Sequence, residues 1–199
     1  MTHDFIRVCS ARPSLKVAEI SYNLEEGVSC IDCASNEGAS FVLFPELSLT
    51  GYTCGDLFKQ GSFLEKARFS LLDLVSRTKE LPIISLVGIP LKLNDRLYNV
   101  AAVFGKGRLY GLVPKQFLPN TREFYEQRWF TSGKGTNQQE VEFDGRLVPF
   151  GDNLIFEETQ LDFSFGVEIC EDLWTVAPPS SSLALAGASI LFNLSASPE

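Results

Sequence analysis

Hydrophobic positions along the chain recur with two different spacings. Phe5 to Cys9 reads as a first strand. After Pro13-Ser14, the apolar residues Val17, Ile20, Leu24, Val28, Ile31 and Ala34 step by threes and fours, one face of a long amphipathic helix. Gly38 lies where a C-terminal glycine is expected. Phe41-Val42-Leu43-Phe44 is an unbroken apolar run, as in a strand covered on both faces, and it stops at Pro45-Glu46. Residues Leu47 to Tyr52 follow as a loop. Ser62-Phe63-Leu64-Glu65 has the form of a capping box for a second helix, whose apolar face is Phe63, Ala67, Leu71, Leu74 and Thr78.

A second covered strand, Ile83 to Ile89, leads through Asn94-Asp95-Arg96 into Tyr98–Phe104. Gly105-Lys106-Gly107 turns the chain again into Arg108–Val113, which ends at Pro114-Lys115. Periodicity is then lost from Gln116 to Gln139, and a loop this long in a compact domain usually has a job, often lining a site. Val141–Phe143, Arg146–Phe150 and Asn153–Glu157 read as short strands. Leu161-Asp162-Phe163-Ser164 starts a longer strand that runs to Cys170. A short helix over Ser180 to Ala188 and a buried strand, Ile190-Leu191-Phe192-Asn193-Leu194, complete the pattern. Strands alternating with helices, plus a meander, predict a layered α/β domain.

Composition narrows the function classes. The chain has 199 residues, 45% hydrophobic and 21% charged, as in ordinary globular domains. A net charge of −8 without a basic cluster argues against a nucleic-acid or anionic-membrane partner. No apolar run reaches the length of a membrane helix, and Met1-Thr2-His3-Asp4 has no secretory signal character. The five scattered cysteines suit reduced thiols and a cytoplasmic setting. Cys30 and Cys33 form a Cys-x-x-Cys inside the first helix. With no second pair and no nearby histidine, they read as small helix residues rather than a metal site. The sole histidine, His3, rules out a Ser-His-Asp or Cys-His machine and any zinc site built on histidines.

Glu46, Lys115 and Cys170 each sit where an apolar strand gives way to a loop, and strand ends are where reactive groups converge in α/β folds. Singly, each has a plainer reading: a helix-entry acid, a solvated lysine, a packed thiol. The surrounding residues resemble the nitrilase superfamily of carbon–nitrogen hydrolases. Phe44-Pro45-Glu46-Leu47…Gly51-Tyr52 is similar to its glutamate motif, Val113-Pro114-Lys115 to its lysine motif, and Val167-Glu168-Ile169-Cys170-Glu171-Asp172 to its cysteine motif. The resemblance covers essentially the whole chain.

Three passages resemble, more closely, the N-terminal glutaminase domains of glutamine-dependent NAD synthetases. They are Pro114-Lys115-Gln116-Phe117-Leu118-Pro119…Arg122-Glu123-Phe124-Tyr125-Glu126…Arg128-Trp129-Phe130, then Cys170-Glu171-Asp172-Leu173-Trp174, and Asn193-Leu194-Ser195-Ala196-Ser197. This resemblance implies a nitrilase-like α-β-β-α sandwich over residues 1–199, here lacking its C-terminal part. It implies a Glu46-Lys115-Cys170 triad, with Lys115 and the Glu171 N–H as oxyanion donors. Tyr52, Glu126, Trp174 and Ser197 match positions around the bound glutamine. Glu126 and Glu171 are assigned to positioning. A lysine ammonium close to the thiol is expected to favour the thiolate, and a carboxylate to receive its proton.

The resemblance implies neither metal nor cofactor for the glutaminase step. ATP and magnesium belong only to a synthetase domain, which is absent here along with its Ser-Gly-Gly-x-Asp-Ser loop. Ser132-Gly133-Lys134-Gly135-Thr136 is not a Walker loop either, because Arg128 stands where the first glycine is required. Implied partners are glutamine, a synthetase domain and a second copy of the chain. Thr121 departs from the family, which often has tyrosine there. Two rival readings stay open: a stand-alone amidase or carbamoylase of the same superfamily, and an inactive fragment serving as an interaction module.

Overall fold

A computed structural model describes residues 5–137, 139–159 and 162–197. His3, the Leu161 end of the predicted central strand, and Pro198-Glu199 lie outside these described residues. The strands are β1 Val8–Ser10, β2 Phe41–Leu43, β3 Ile84–Leu93, β4 Arg96–Gly105, β5 Arg108–Pro114, β6 Gln139–Phe143, β7 Arg146–Phe150, β8 Ile155–Glu158, β9 Phe163–Ile169 and β10 Ile190–Leu194. The helices are α1 Ile20–Asn36, α2 Gly61–Arg77 and α3 Pro179–Leu185. One sheet has the order β1-β2-β3-β4-β5-β7-β6 and the other β10-β9-β8.

The layering follows from period-two alternation in strands that are apolar on both faces. In β4, Val100, Ala102 and Phe104 face the core shared with α1 and α2, while Ala101 and Val103 face the second sheet. There they meet Phe165, Val167 and Ile169 of β9 and Phe192 and Leu194 of β10. The ring of Phe41 lies 5.2 Å from Phe165 and 5.1 Å from Phe192, centroid to centroid, and ties the sheets together. α3 covers the far face of the second sheet, with Leu183 against Gly166. The result is helix, sheet, sheet, helix, the expected sandwich. Among the described residues no helix is long and apolar enough to cross a membrane.

Three hairpin turns have the shape their sequences dictate. Asn94-Asp95, Lys106-Gly107 and Asp144-Gly145 all carry positive φ at both central positions, the turn that matches the twist of antiparallel strands. Gly38 takes φ +73° at the end of α1 as anticipated.

Some local expectations fail. α1 starts at Ile20 rather than Val17, because Ala18 is left-handed at φ 63° and leaves Val17 exposed. β1 spans only Val8–Ser10, since only these residues pair with Phe41–Leu43. The capping box at Ser62 does not form. Gln60, in extended backbone, is the N-cap of α2 without a side-chain hydrogen bond, so Ser62 falls inside the first turn. The helix consequently buries Leu64, Ser70 and Val75 as well as Ala67, Leu71 and Leu74, leaving Phe63 half-buried.

β2 and β5 end on the same edge of the large sheet, because β3 is parallel to β2 and two antiparallel steps separate it from β5. Gly88 of β3 makes room there. A Cβ on it would stand 2.1 Å from the Leu47 nitrogen and 2.8 Å from the Glu46 carbonyl carbon. Gly88→Ala should therefore push the Glu46 loop off the sheet and cost about 3 kcal/mol, the upper range of overpacking. Thermal unfolding checks the loss, and turnover should fall with it because Glu46 rides on the displaced backbone.

Candidate active site

Glu46 follows the end of β2, with Leu47 at φ 52° turning the chain back over β3. Lys115 follows β5 directly; its N–H donates to the Asn99 carbonyl at 2.8 Å, and its carbonyl accepts the Gly133 N–H at 2.8 Å. Cys170 follows β9 at φ 47° and opens the tight helical turn Cys170–Trp174. The three side chains, far apart in sequence, are buried at one end of the sandwich.

Lys115 Nζ donates to Glu46 Oε1 and to Glu126 Oε1, each at 2.6 Å, with all three side chains shut away from solvent. Asn99 Nδ2 donates to Glu46 Oε1 at 2.6 Å, and the Tyr52 hydroxyl donates to Glu126 Oε1 at 2.6 Å. Both Oε1 atoms thus take two donors. Glu46 Oε2 and Glu126 Oε2 are buried and make no hydrogen bond among the described residues. One ammonium faces two buried carboxylates.

Burial pushes Glu46 up to about 7; Lys115 pulls against this and Glu126 adds to it. Burial alone would lower Lys115, but the two carboxylates outweigh it and hold the ammonium above its ordinary value. Tyr52 is raised by burial and then by Glu126, so it stays a donor.

At Cys170 Lys115 pulls the thiol down as expected, but other causes outweigh it. Burial raises its thiol and Glu46 raises it further, against the smaller opposing pulls of Ser195 and Lys115. The Glu46 carboxylate is therefore close enough to act on the thiol. Ser195 Oγ donates to Cys170 Sγ at 3.4 Å and contacts Ser197 Oγ at 3.0 Å.

Of the residues expected around a substrate, Tyr52 and Glu126 are wired into the lysine network and Ser197 reaches the thiol through Ser195. Trp174 is 74% exposed at the end of the cysteine turn. Glu171, half-buried, lines an open cavity of about 540 Å³ with Gln116, Phe117, Leu118, Phe130 and Lys134. The loop carrying Glu126 is fastened to the one carrying Tyr52 by Asp56, which accepts Arg128 Nε at 3.0 Å and Trp129 Nε1 at 2.9 Å.

Residues that the sequence reading did not single out complete the site. Asp172 accepts the Phe117 N–H at 2.7 Å and the Ile169 N–H at 3.0 Å, stapling the cysteine turn to the lysine loop. Burial lifts its carboxyl to about 6 against these bonds. Asn99 is the polar residue in an otherwise apolar stretch of β4, and that interruption was its signal.

Known proteins are similar to this chain in sequence and fold. The family model for carbon–nitrogen hydrolases matches residues 5–199. The glutamine-dependent NAD(+) synthetase of Mycobacterium tuberculosis is 39% identical over 197 residues, which are 98% of this chain and 29% of that protein. The human protein of the same name is 33% identical over 184 residues, 88% of this chain and 26% of that one. The crystal structure of a glutamine-dependent NAD(+) synthetase from Cytophaga hutchinsonii superposes with a TM-score of 0.84 at 27% identity, over 96% of this chain and 30% of that one. An amidase from Nesterenkonia sp., 16% identical, has the same fold with a TM-score of 0.74, over 98% of this chain and 66% of that one. This chain thus spans less than a third of the curated relatives it matches. Over the residues it has, with an acid, a lysine and a cysteine gathered at the strand ends of an α-β-β-α sandwich, it belongs to the carbon–nitrogen hydrolase family.

Proposed function

We propose that residues 1–199 are the glutamine-hydrolysing part of a glutamine-dependent NAD synthetase, releasing ammonia from the side-chain amide. The observation that carries the reading is the buried Lys115 held between Glu46 and Glu126 beside the strand-end thiol of Cys170. The names of the relatives supply the substrate and the larger reaction.

Glu46 takes the Cys170 proton on Oε2, the oxygen that Lys115 and Asn99 leave open, as the sulfur attacks the amide carbon. The carbonyl electron pair moves onto oxygen. The third N–H of Lys115 and the N–H of Glu171 receive that charge, each worth about 3 kcal/mol of barrier. The tetrahedral centre collapses and the C–N bond breaks. The leaving nitrogen takes the proton back from Glu46 and departs as ammonia, leaving a thioester. Water then gives a proton to Glu46 and adds to the thioester carbon. The C–S bond breaks, the thiol regains its proton, and glutamate leaves. These steps use only protein groups and water. Ammonia would pass to a synthetase portion, where ATP and magnesium act.

Ammonia release tests the proposal. Glutamine should be hydrolysed at least tenfold more efficiently than simple aliphatic amides. Equal or better turnover of the aliphatic amides would favour a stand-alone amidase instead.

A further inference from the structure

Asn193 pairs with Glu168 in the β9–β10 ladder, one step before its last pair, Leu194 with Ile169. Beyond Ile169 the backbone cannot continue as strand, because Cys170 turns into the left-handed region at φ 47°, a conformation that costs a side-chain-bearing residue about 1–2 kcal/mol. The Asn193 carboxamide takes over from the missing rung. Its Oδ1 accepts the Cys170 N–H at 3.2 Å, and its Nδ2 faces the Cys170 carbonyl at 3.4 Å and Glu168 Oε1 at 3.3 Å. Glu168 is buried, and its other oxygen accepts the Ser180 N–H at 2.9 Å in the first turn of α3. A chain of hydrogen bonds therefore runs from α3 through a buried carboxylate to the backbone of the cysteine.

This grip has a chemical consequence. The N–H of Cys170 is engaged by Asn193, so it does not serve an oxyanion. The next amide, that of Glu171, follows in the same tight turn. We propose that Asn193 is a positioning residue: by holding both backbone groups of Cys170 it fixes the turn that carries the Glu171 N–H, the oxyanion donor of the mechanism above; this rests on the reading of Cys170 as nucleophile.

Two reagents separate this role from general support of the fold. With p-nitrophenyl acetate, the Cys170 sulfur bonds to the carbonyl carbon while Glu46 takes the thiol proton. The carbonyl pair moves onto oxygen and then returns to expel p-nitrophenolate, so the step needs the oxyanion donor. With iodoacetamide the sulfur displaces iodide from a methylene carbon, and no oxyanion forms. Neither reagent requires glutamine to be recognised, so both rates are readable even if glutamine proves not to be the substrate. In Asn193→Ala, acylation of Cys170 by the ester should fall about 100-fold. Alkylation, followed by mass spectrometry of the Cys170 peptide, should stay within about threefold. Unchanged ester acylation in Asn193→Ala, or a parallel fall of both rates in a folded variant, would overturn the assignment.

Discussion

Glu46→Gln loses about 10³-fold in amide turnover, within the usual worth of a positioned general base, while Cys170 becomes easier to ionise. The two effects have one origin. A glutamine of the same shape can still accept the Lys115 and Asn99 donors on one oxygen, but it presents an amide nitrogen where Oε2 stood, and that atom takes no proton. The negative charge that adds to burial in raising the Cys170 thiol also disappears, so the pulls of Ser195 and Lys115 are opposed by burial only. The pH midpoint of iodoacetamide labelling at Cys170 should move down as catalysis vanishes. A merely damaged site would lose labelling and turnover together. The intact enzyme carries the matching signature. Glu46, at about 7, works only when ionised, so kcat/KM should rise with pH through a limb near 7 and be lost below it. Glu46→Gln should abolish that limb.

Lys115→Met is expected to lower turnover by about 10²–10³-fold, the worth of one oxyanion donor, and to destabilise the fold by about 3–5 kcal/mol. The lysine is the only partner that neutralises Glu46 and Glu126 in the hydrogen-bonded network described here, and both carboxylates are buried. Without it they repel, and the folded state favours the protonated form of Glu46, which burial already raises. The folded protein then binds more protons than the unfolded chain, so stability falls as pH rises. The deficit in denaturant unfolding should accordingly be larger at mildly alkaline than at mildly acidic pH. Adding Glu126→Gln to Lys115→Met should restore much of the stability and none of the turnover, which separates the structural from the chemical part of the lysine's role.

The strand pattern was legible because the core strands are apolar on both faces and are punctuated by turn residues such as Asn94-Asp95. Placement of Glu46, Lys115 and Cys170 at strand ends was equally plain, since each follows an apolar run. What escaped were side chains that act across the fold. Asn99 reaches Glu46 from 53 positions away, and Asn193 reaches Cys170 from 23. Nothing local announces either contact beyond a polar letter in an apolar strand. The balance of effects on Cys170 was hidden for a related reason: the pull of Lys115 is visible in the sequence, whereas the burial and the Glu46 charge that outweigh it exist only in the packed site. The capping box at Ser62 failed because a four-residue pattern cannot show where the incoming chain, here extended at Gln60, lets a helix begin.

The central claim is that Cys170 alone forms the bond to a glutamine-shaped substrate. Peptide mass spectrometry after treatment with a diazoketone analogue of glutamine tests it most directly. The expected result is a single adduct on Cys170, suppressed by excess glutamine. Label spread over Cys9, Cys30, Cys33 and Cys54 as readily as over Cys170, with no protection by glutamine, would contradict it.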